Sequence, residues 1–137
     1  MQIRFSQFEK RGFVVEETGW VKELFASADA MDTEAFLGFL TNDARFRFGG
    51  ASVVVGKEAI RTAIDGFFAS IKGLRHDIVE TWVHSQTVIC HGDVTYTRTD
   101  GSEVTIPFVT IWRMQDSRIK EYLIYIDINP LWQGHTV

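Results

Sequence analysis

Hydrophobic residues in the first half of the chain recur at the spacing of α-helices. The first apolar stripe follows Thr18, a residue type that caps helix N-termini. Its members are Trp20, Val21, Leu24, Phe25 and Ala28. Asp32 can cap a second, short helix. The predicted buried side of that helix consists of Phe36, Leu37, Phe39 and Leu40. A third stripe runs through residues 56–73, where Gly73 predicts the helix end.

Alternation of apolar and polar residues marks the predicted strands. In the stretch ARFRFGG, Phe46 and Phe48 fall on one face and the two arginines on the other, before a Gly-Gly turn. The second half of the chain is rich in Val, Ile, Thr, Tyr and Trp, which suit a pleated surface. Short polar connections divide it as in an antiparallel meander. The four long strands are predicted at residues 74–84, 87–98, 103–114 and 118–128.

Helices followed by a run of strands predict an α+β domain, in which helices cover one face of a curved, mostly antiparallel sheet. The length of 137 residues suits one domain of this kind. Residues 18–137 are assigned to it. Residues 1–17 are predicted to form an N-terminal arm, as an added edge strand, a short helix or a loose segment.

Composition and charge exclude several kinds of partner. The net charge is −4, and Lys and Arg are scattered, so the basic patch of a nucleic-acid-binding protein is missing. No apolar run reaches membrane length, and no membrane partner is expected. Cys90 is the only cysteine, which fits a reducing compartment and argues against a disulfide framework or a structural zinc. We therefore expect a cytoplasmic protein without a metal or another cofactor.

The stretch KGLRHDIVETWVH, residues 72–84, contains two of the candidate catalytic residues. Read as an uninterrupted strand, it places His76 and Glu80 on one largely apolar face, together with Leu74, Ile78, Trp82 and His84. A histidine is useful in such a place because its pKa lets it act as base or acid near neutrality. Glu80 is one candidate to orient the ring, and Asp127 at the end of the last strand is another. His76 also fits a purely structural residue that bonds a backbone carbonyl.

The order of elements and four local phrases resemble the SnoaL-like branch of the nuclear transport factor 2-like (NTF2-like) superfamily. The phrases are FRFGGASVVVGKEAI, RHDIVETW, GDVTYTRTDG and IKEYLIYIDINPLW. The resemblance covers residues 18–132 and implies a cone of curved antiparallel sheet closed by helices. It does not imply one reaction, because the superfamily includes isomerases, dehydratases, epoxide hydrolases, polyketide cyclases and non-catalytic binders.

The chain lacks catalytic residues that well-understood members of the family have, and these differences argue against some of the reactions that the resemblance implies. Phe48 stands where a steroid-isomerase-like member has an Asp base. Gly92 and Val94 stand where an epoxide-hydrolase-like member has Arg and Asp. His76 occupies the place of a catalytic His in scytalone-dehydratase-like members, but their second catalytic His falls near Arg98. The resemblance therefore supports His76 without its usual companion.

Further expectations combine strand alternation with the family cone. A cavity between the third helix and the concave sheet is predicted to bind a small hydrophobic molecule. Its predicted lining is His76 with Phe48, Val94, Tyr96, Thr110, Trp112, Tyr122 and Ile124. The outer sheet face is predicted to pair in a homodimer. Its apolar members are Val79, Val83, Ile89, Val109, Ile111 and Tyr125.

The leading interpretation is an enzyme that performs acid–base chemistry on a hydrophobic or aromatic compound. Isomerisation, dehydration and cyclisation all fit, with His76, Glu80 and Asp127 as candidate catalytic residues. Phosphate loops, nucleophile elbows and metal motifs are absent from the sequence. The alternative is a non-catalytic module for ligand binding or dimerisation on the same fold.

Overall fold

The computed structural model describes the backbone of residues 12–133 and the side chains of residues 18–133. The helices are α1 (Gly12–Asp29), α2 (Thr33–Leu37), α3 (Lys57–Ala69) and α4 (Asn129–Trp132). The strands are β1 (Leu40–Phe48), β2 (Val54–Val55), β3 (Gly73–His84), β4 (Thr87–Thr97), β5 (Glu103–Gln115) and β6 (Arg118–Ile126).

One six-stranded sheet has the order β2-β1-β6-β5-β4-β3. Every pairing is antiparallel except that of β1 with β6, which is parallel. The four strands from β3 to β6 form the predicted meander. β1, which follows α2 in the chain, pairs with β6 on the side of the sheet opposite to β3. The α+β fold class and the helix-covered, mostly antiparallel sheet are confirmed.

The helix ends differ from the predicted ones in three places. α2 ends at Leu37, so Phe39 lies beyond the helix and Leu40 begins β1. α1 begins at Gly12, so Thr18 lies inside it and does not cap it. The backbone of residues 12–17 therefore belongs to this helix, and the rest of the predicted arm, residues 1–11, lies outside the described residues. α3 ends at Ala69, where the Ser70 hydroxyl donates to the Phe67 carbonyl at 2.6 Å, and Gly73 starts β3 instead of stopping a helix. The Asp32 cap is confirmed by its 3.1 Å bond from the Ala35 amide.

A β-bulge in β3 changes which residues share a face. The pairing with β4 shifts register between Ile78 and Glu80, so two residues oppose one at this point. His76 pairs with Val94 on the concave side, whereas Glu80 pairs with His91 on the convex side. The prediction that Glu80 shares the face of His76 is therefore wrong, because an extra residue reverses the alternation between them.

The same reversal exchanges Trp82 and Val83. Val83 pairs with Val88 on the concave side and packs against the core, so its predicted place on the outer face is wrong. Trp82 takes that place and pairs with Ile89. Its side chain is 38% exposed. The convex face thus gains a large aromatic residue that simple alternation assigns to the interior.

The core fills the space between the concave sheet and the helices. Its fully buried members include Trp112, Leu24, Leu40, Ile60 and Ile119. α2 and α3 are tied together on the outside by Arg61, which donates to the two carboxylate oxygens of Glu34 at 2.7 and 3.0 Å and also to Glu58. The hydrogen bond from Arg61 lowers the pKa of the Glu34 carboxyl. These links hold the two helices over the concave face.

Candidate functional site

His76 is held by a carboxylate from another element. Its Nδ1 atom lies 2.6 Å from Oδ1 of Asp29, and its backbone amide donates to Oδ2 of the same carboxylate at 3.1 Å. Asp29 is the last residue of α1, and His76 is the fourth residue of β3. Because one carboxylate bonds both the ring and the main chain, the position and the rotation of the imidazole are fixed together.

Aromatic rings enclose the imidazole on two sides. Phe25, one helical turn before Asp29, stacks on it with ring centroids 4.5 Å apart and an interplanar angle of 28°. Phe108 from β5 meets it edge-on at 5.4 Å. The His76 side chain is only 13% exposed. The ring is therefore packed as firmly as a core residue while still reaching a cavity.

The contact with Asp29 assigns the tautomer of His76. A carboxylate can only accept, so Nδ1 carries a proton and donates it. In the neutral ring, Nε2 then has a free lone pair and can accept a proton. His76 also lines the cavity described next. The arrangement is that of a general base with an orienting carboxylate, because one nitrogen is bonded and the other is available.

A cavity of about 240 Å³ lies between α3, the α1–α2 region and the concave sheet. Its wall is largely apolar. Five of its aromatic members are Phe36, Phe46, Phe48, Phe67 and Phe68. Among the described residues, the side chains with polar groups in its lining are His76, Tyr96 and Tyr122. The described lining contains no Asp, Glu, Lys or Arg, so the cavity suits a small, mainly hydrophobic molecule.

Both tyrosines in the wall stay protonated over a wide pH range. Burial alone raises the pKa of Tyr96. Burial is also the main cause that raises the pKa of Tyr122, and the nearby Trp112 side chain partly opposes it. A protonated phenol has an O–H to donate. The cavity therefore combines one proton acceptor with neutral hydrogen-bond donors.

The predicted ligand-binding residues divide into two groups. Phe48, Tyr96, Tyr122 and Ile124 lie in the cavity wall together with His76. Val94, Thr110 and Trp112 are almost completely buried in the core and do not line the cavity. All seven face the concave side, but α1 covers Trp112, because Trp20 and Phe25 of this helix pack on its ring. Within residues 18–133, the Trp112 indole nitrogen has no hydrogen-bond partner of good geometry.

Glu80 and Asp127 are not brought to His76. Glu80 is exposed on the convex face beyond the bulge. Asp127 accepts a bond from the Asn129 amide at 3.1 Å and so shapes the turn into α4. Arg98, in the place of the second histidine of scytalone-dehydratase-like members, donates to the carbonyls of Pro130 and Leu131 at 2.9 and 2.8 Å. Asp127 and Arg98 therefore stabilise residues 127–131, and Glu80 lies on the exposed surface.

Asp29 is the residue of this site that the sequence did not indicate. It is 47 residues from His76, and it ends a predicted helix as many surface carboxylates do. Its place at the C-terminus of that helix is a weak signal, since a carboxylate is unfavourable there unless something compensates it. In the structure, the His76 amide and ring supply that compensation.

No three His, Cys, Asp or Glu side chains of the described residues come together as a metal site requires. No described helix has the length and hydrophobicity needed to span a bilayer.

Comparison with known families identifies the fold and its branch. The model of the SnoaL-like domain family matches residues 21–122, most of the chain. The chain therefore belongs to the SnoaL-like domain family. A comparison with proteins of curated function finds no significant match.

Solved structures agree with this assignment. An NTF2-like protein of unknown function from Burkholderia pseudomallei K96243 superimposes with a TM-score of 0.79 at 18% identity, over 88% of this chain and 98% of that chain. TerC, co-crystallised with polyporic acid, gives 0.75 at 18% identity over 85% and 95%. An LEH-like epoxide hydrolase from M. tuberculosis gives 0.72 at 16% identity over 88% and 89%. At such low identity these likenesses establish the fold and leave the activity open.

Proposed function

We propose that this protein is a cofactor-independent enzyme of the SnoaL-like type that performs acid–base chemistry on a small hydrophobic or aromatic compound. The observation that carries the proposal is the His76 imidazole, which is bonded through Nδ1 to Asp29 at 2.6 Å and reaches a largely apolar cavity. The site suits isomerisation, dehydration and cyclisation, because each of these reactions begins or ends with a proton transfer that one histidine can perform.

In this mechanism Nε2 of His76 takes a proton from the bound compound. The imidazolium that forms is stabilised by the Asp29 carboxylate, which already accepts the Nδ1 proton. His76 then returns the proton to another carbon in an isomerisation, or to a departing hydroxyl in a dehydration. The apolar wall and the rings of Phe25 and Phe108 limit water around the imidazole.

The partial resemblance to scytalone dehydratase supports the role of His76. The second histidine of that enzyme has no counterpart here, so Asp29 and His76 perform the proton transfer by themselves. Glu80 and Asp127 are not part of the proposed machinery because their contacts lie elsewhere. The buried, unpaired thiol of Cys90 supports a reducing compartment, the cytoplasm.

The alternative function is a non-catalytic binding module. The predominance of phenylalanine in the cavity wall favours it, because such a wall holds a hydrophobic ligand without any reaction. The two functions differ in what they require of His76. A binding module needs only its volume and one hydrogen bond, whereas an enzyme needs its proton transfer.

The deciding experiment begins with a panel of polyketide-like, terpenoid and phenolic compounds, screened for turnover. Wild type is then compared with His76→Gln, which roughly keeps the volume and one hydrogen bond. We expect the variant to bind with similar affinity and to lose about 10²–10⁴-fold in rate. Asp77→Asn, one position along β3 and exposed, serves as the matched control. Unchanged turnover in folded His76→Gln would exclude the catalytic role and leave the binding module.

A further inference from the structure

The cavity wall divides into a buried floor and a partly exposed rim. Phe36, Phe46 and Tyr122 form the floor, where their ring centroids lie 5.3–6.4 Å apart and their side chains are almost completely buried. Phe48 and Phe67 belong to the wall as well, but both are only partly buried. Solvent therefore reaches the cavity on the side of these two residues.

Phe67 of α3 stands across this rim. Its ring centroid lies 5.1 Å from that of Phe48 in β1 and 5.6 Å from that of Tyr96 in β4. In the sheet, β6 and β5 lie between β1 and β4, so these two strands would be about 14 Å apart in a flat sheet. A single phenyl ring contacts side chains from both strands because the sheet curves and the ring projects between them. Phe67 therefore fills part of the space between the two sides of the cone.

The volume of the cavity limits the size of the ligand that it holds. An engineered apolar cavity of about 150 Å³ holds one benzene molecule. The cavity of this protein has about 240 Å³, which suits a compound of two fused rings. A third ring has either to displace the Phe67 side chain or to remain in water, where its apolar surface contributes nothing to binding.

We propose that Phe67 sets the size of the substrate, so that the cavity takes compounds of one or two rings and excludes larger ones. The inference deepens the proposed function and rests on it. The phenyl ring of Phe67 contacts the outer end of a two-ring compound and occupies the space that a third ring needs. Phe67 is thus a specificity-determining residue with no part in proton transfer. A purely structural Phe67 would affect stability and leave the order of affinities unchanged.

The test uses phenylmethanol, 2-naphthylmethanol and 2-anthrylmethanol, which are uncharged and differ only in the number of fused rings. Equilibrium dialysis measures the affinity of each compound for wild type, Phe67→Ala and Phe67→Trp. Wild type should bind the two-ring compound about tenfold more tightly than the one-ring compound, because more apolar surface is buried, and should gain nothing from the third ring. Phe67→Ala should bind the three-ring compound about tenfold more tightly than wild type does. Phe67→Trp should weaken binding of the two-ring compound about tenfold, because the larger side chain takes its space.

Phe39→Ala is the matched control. It removes the same atoms from a phenylalanine that packs against the core but is not part of the described cavity wall, so the order of the three affinities should stay as in wild type. Thermal unfolding shows whether each variant is folded, and Phe67→Leu replaces Phe67→Ala if the latter does not fold. Three results would each overturn the proposal: tighter binding of the three-ring than of the two-ring compound by wild type, the same order of affinities in Phe67→Ala as in Phe39→Ala, or no binding of any of the three compounds by wild type.

Turnover measurements separate this inference from the proposed function. If the affinities depend on Phe67 as expected but no compound of the substrate panel reacts, the size limit stands and the proposed catalysis fails. If a substrate is found and His76→Gln abolishes its turnover, but three-ring compounds react with wild type as fast as two-ring compounds, the catalysis stands and the size limit is overturned. When both hold, Phe67→Ala should extend turnover to three-ring members of the panel.

Discussion

The Nδ1 atom of His76 lies 2.6 Å from Oδ1 of Asp29, and this contact joins the end of the first long helix to the first long strand. The carboxylate also accepts the backbone amide of His76 at 3.1 Å. The pair therefore sets the tautomer of the ring and anchors the helix to the sheet. A change at Asp29 should affect both the chemistry and the fold, and the two effects can be measured separately.

Asp29→Asn should lower turnover about tenfold or more, since an amide no longer stabilises the imidazolium or enforces the reactive tautomer. Steady-state rates over a range of pH, with thermal unfolding as a measure of fold, check this expectation. Glu80→Gln distinguishes the other candidate orienting group. A larger loss of rate in Glu80→Gln than in Asp29→Asn would mean that the contact in the structure is not the functional one.

Gly92→Ala should destabilise the protein by about 2–4 kcal/mol. A Cβ atom at Gly92 would lie 2.3 Å from the Asp77 carbonyl oxygen and 3.1 Å from the Ile78 Cα, and both are backbone atoms at the bulge. Urea denaturation of wild type and variant measures the difference in free energy of unfolding. Gly66→Ala is a control of opposite sign, because a Cβ there meets nothing within 4 Å and helix α3 gains about 0.5–1 kcal/mol. Equal stabilities of wild type and Gly92→Ala would contradict the close approach.

Stability should decrease as the pH rises above about 10, the pKa of an unfolded tyrosine. The pKa values of Tyr96 and Tyr122 are raised in the folded state, so above that pH the unfolded chain releases their protons and the folded chain keeps them. Each residue then removes about 1.4 kcal/mol per pH unit. In urea titrations between pH 9 and 11, Tyr96→Phe should show a shallower decline than wild type. Identical declines would indicate that Tyr96 ionises equally in both states.

We propose that the convex face pairs two copies of the chain. A continuous row crosses four strands there, and its members are Trp82, Ile89, Ile111 and Leu123. Contact with water along such a row is unfavourable. Ile111→Lys should therefore convert a dimer into a monomer in light scattering at micromolar concentration. Thr62→Lys adds the same charge on exposed α3 and should leave the dimer intact. A wild-type monomer would refute the pairing.

Local patterns in the sequence predict most of the fold. The four long strands of the meander agree with their predicted positions to within two residues because alternation and turn residues act over short distances. The first strand begins at Leu40, four residues before the predicted ARFRFGG stretch. The end of α3 was missed because the Ser70 hydroxyl closes it before Gly73 is reached. The parallel pairing of β1 with β6 joins distant parts of the chain, and local periodicity contains no information about it.

The site was predictable only for residues whose side-chain direction follows from the alternation within their own strand. His76, Tyr96 and Phe48 follow from alternation together with the family resemblance, and the structure has them in one cavity wall. Asp29 depends on how α1 crosses β3, which is a tertiary relation. Glu80 was misplaced because a bulge leaves no clear signal in an apolar-rich strand, although Gly92 on the opposite strand marks the point where the backbones approach.

The bulge also determines how β3 responds to a change of its length. Residues before the bulge place His76 in the interior, and residues after it place Trp82 on the exterior. Deleting the extra residue, Val79, would leave a regular strand in which Glu80 and Trp82 stay outward. Regular pairing with Val79 kept would instead turn Glu80 and Trp82 inward. The extra residue of β3 therefore decides which side chains in the second half of the strand face the core and which face outward.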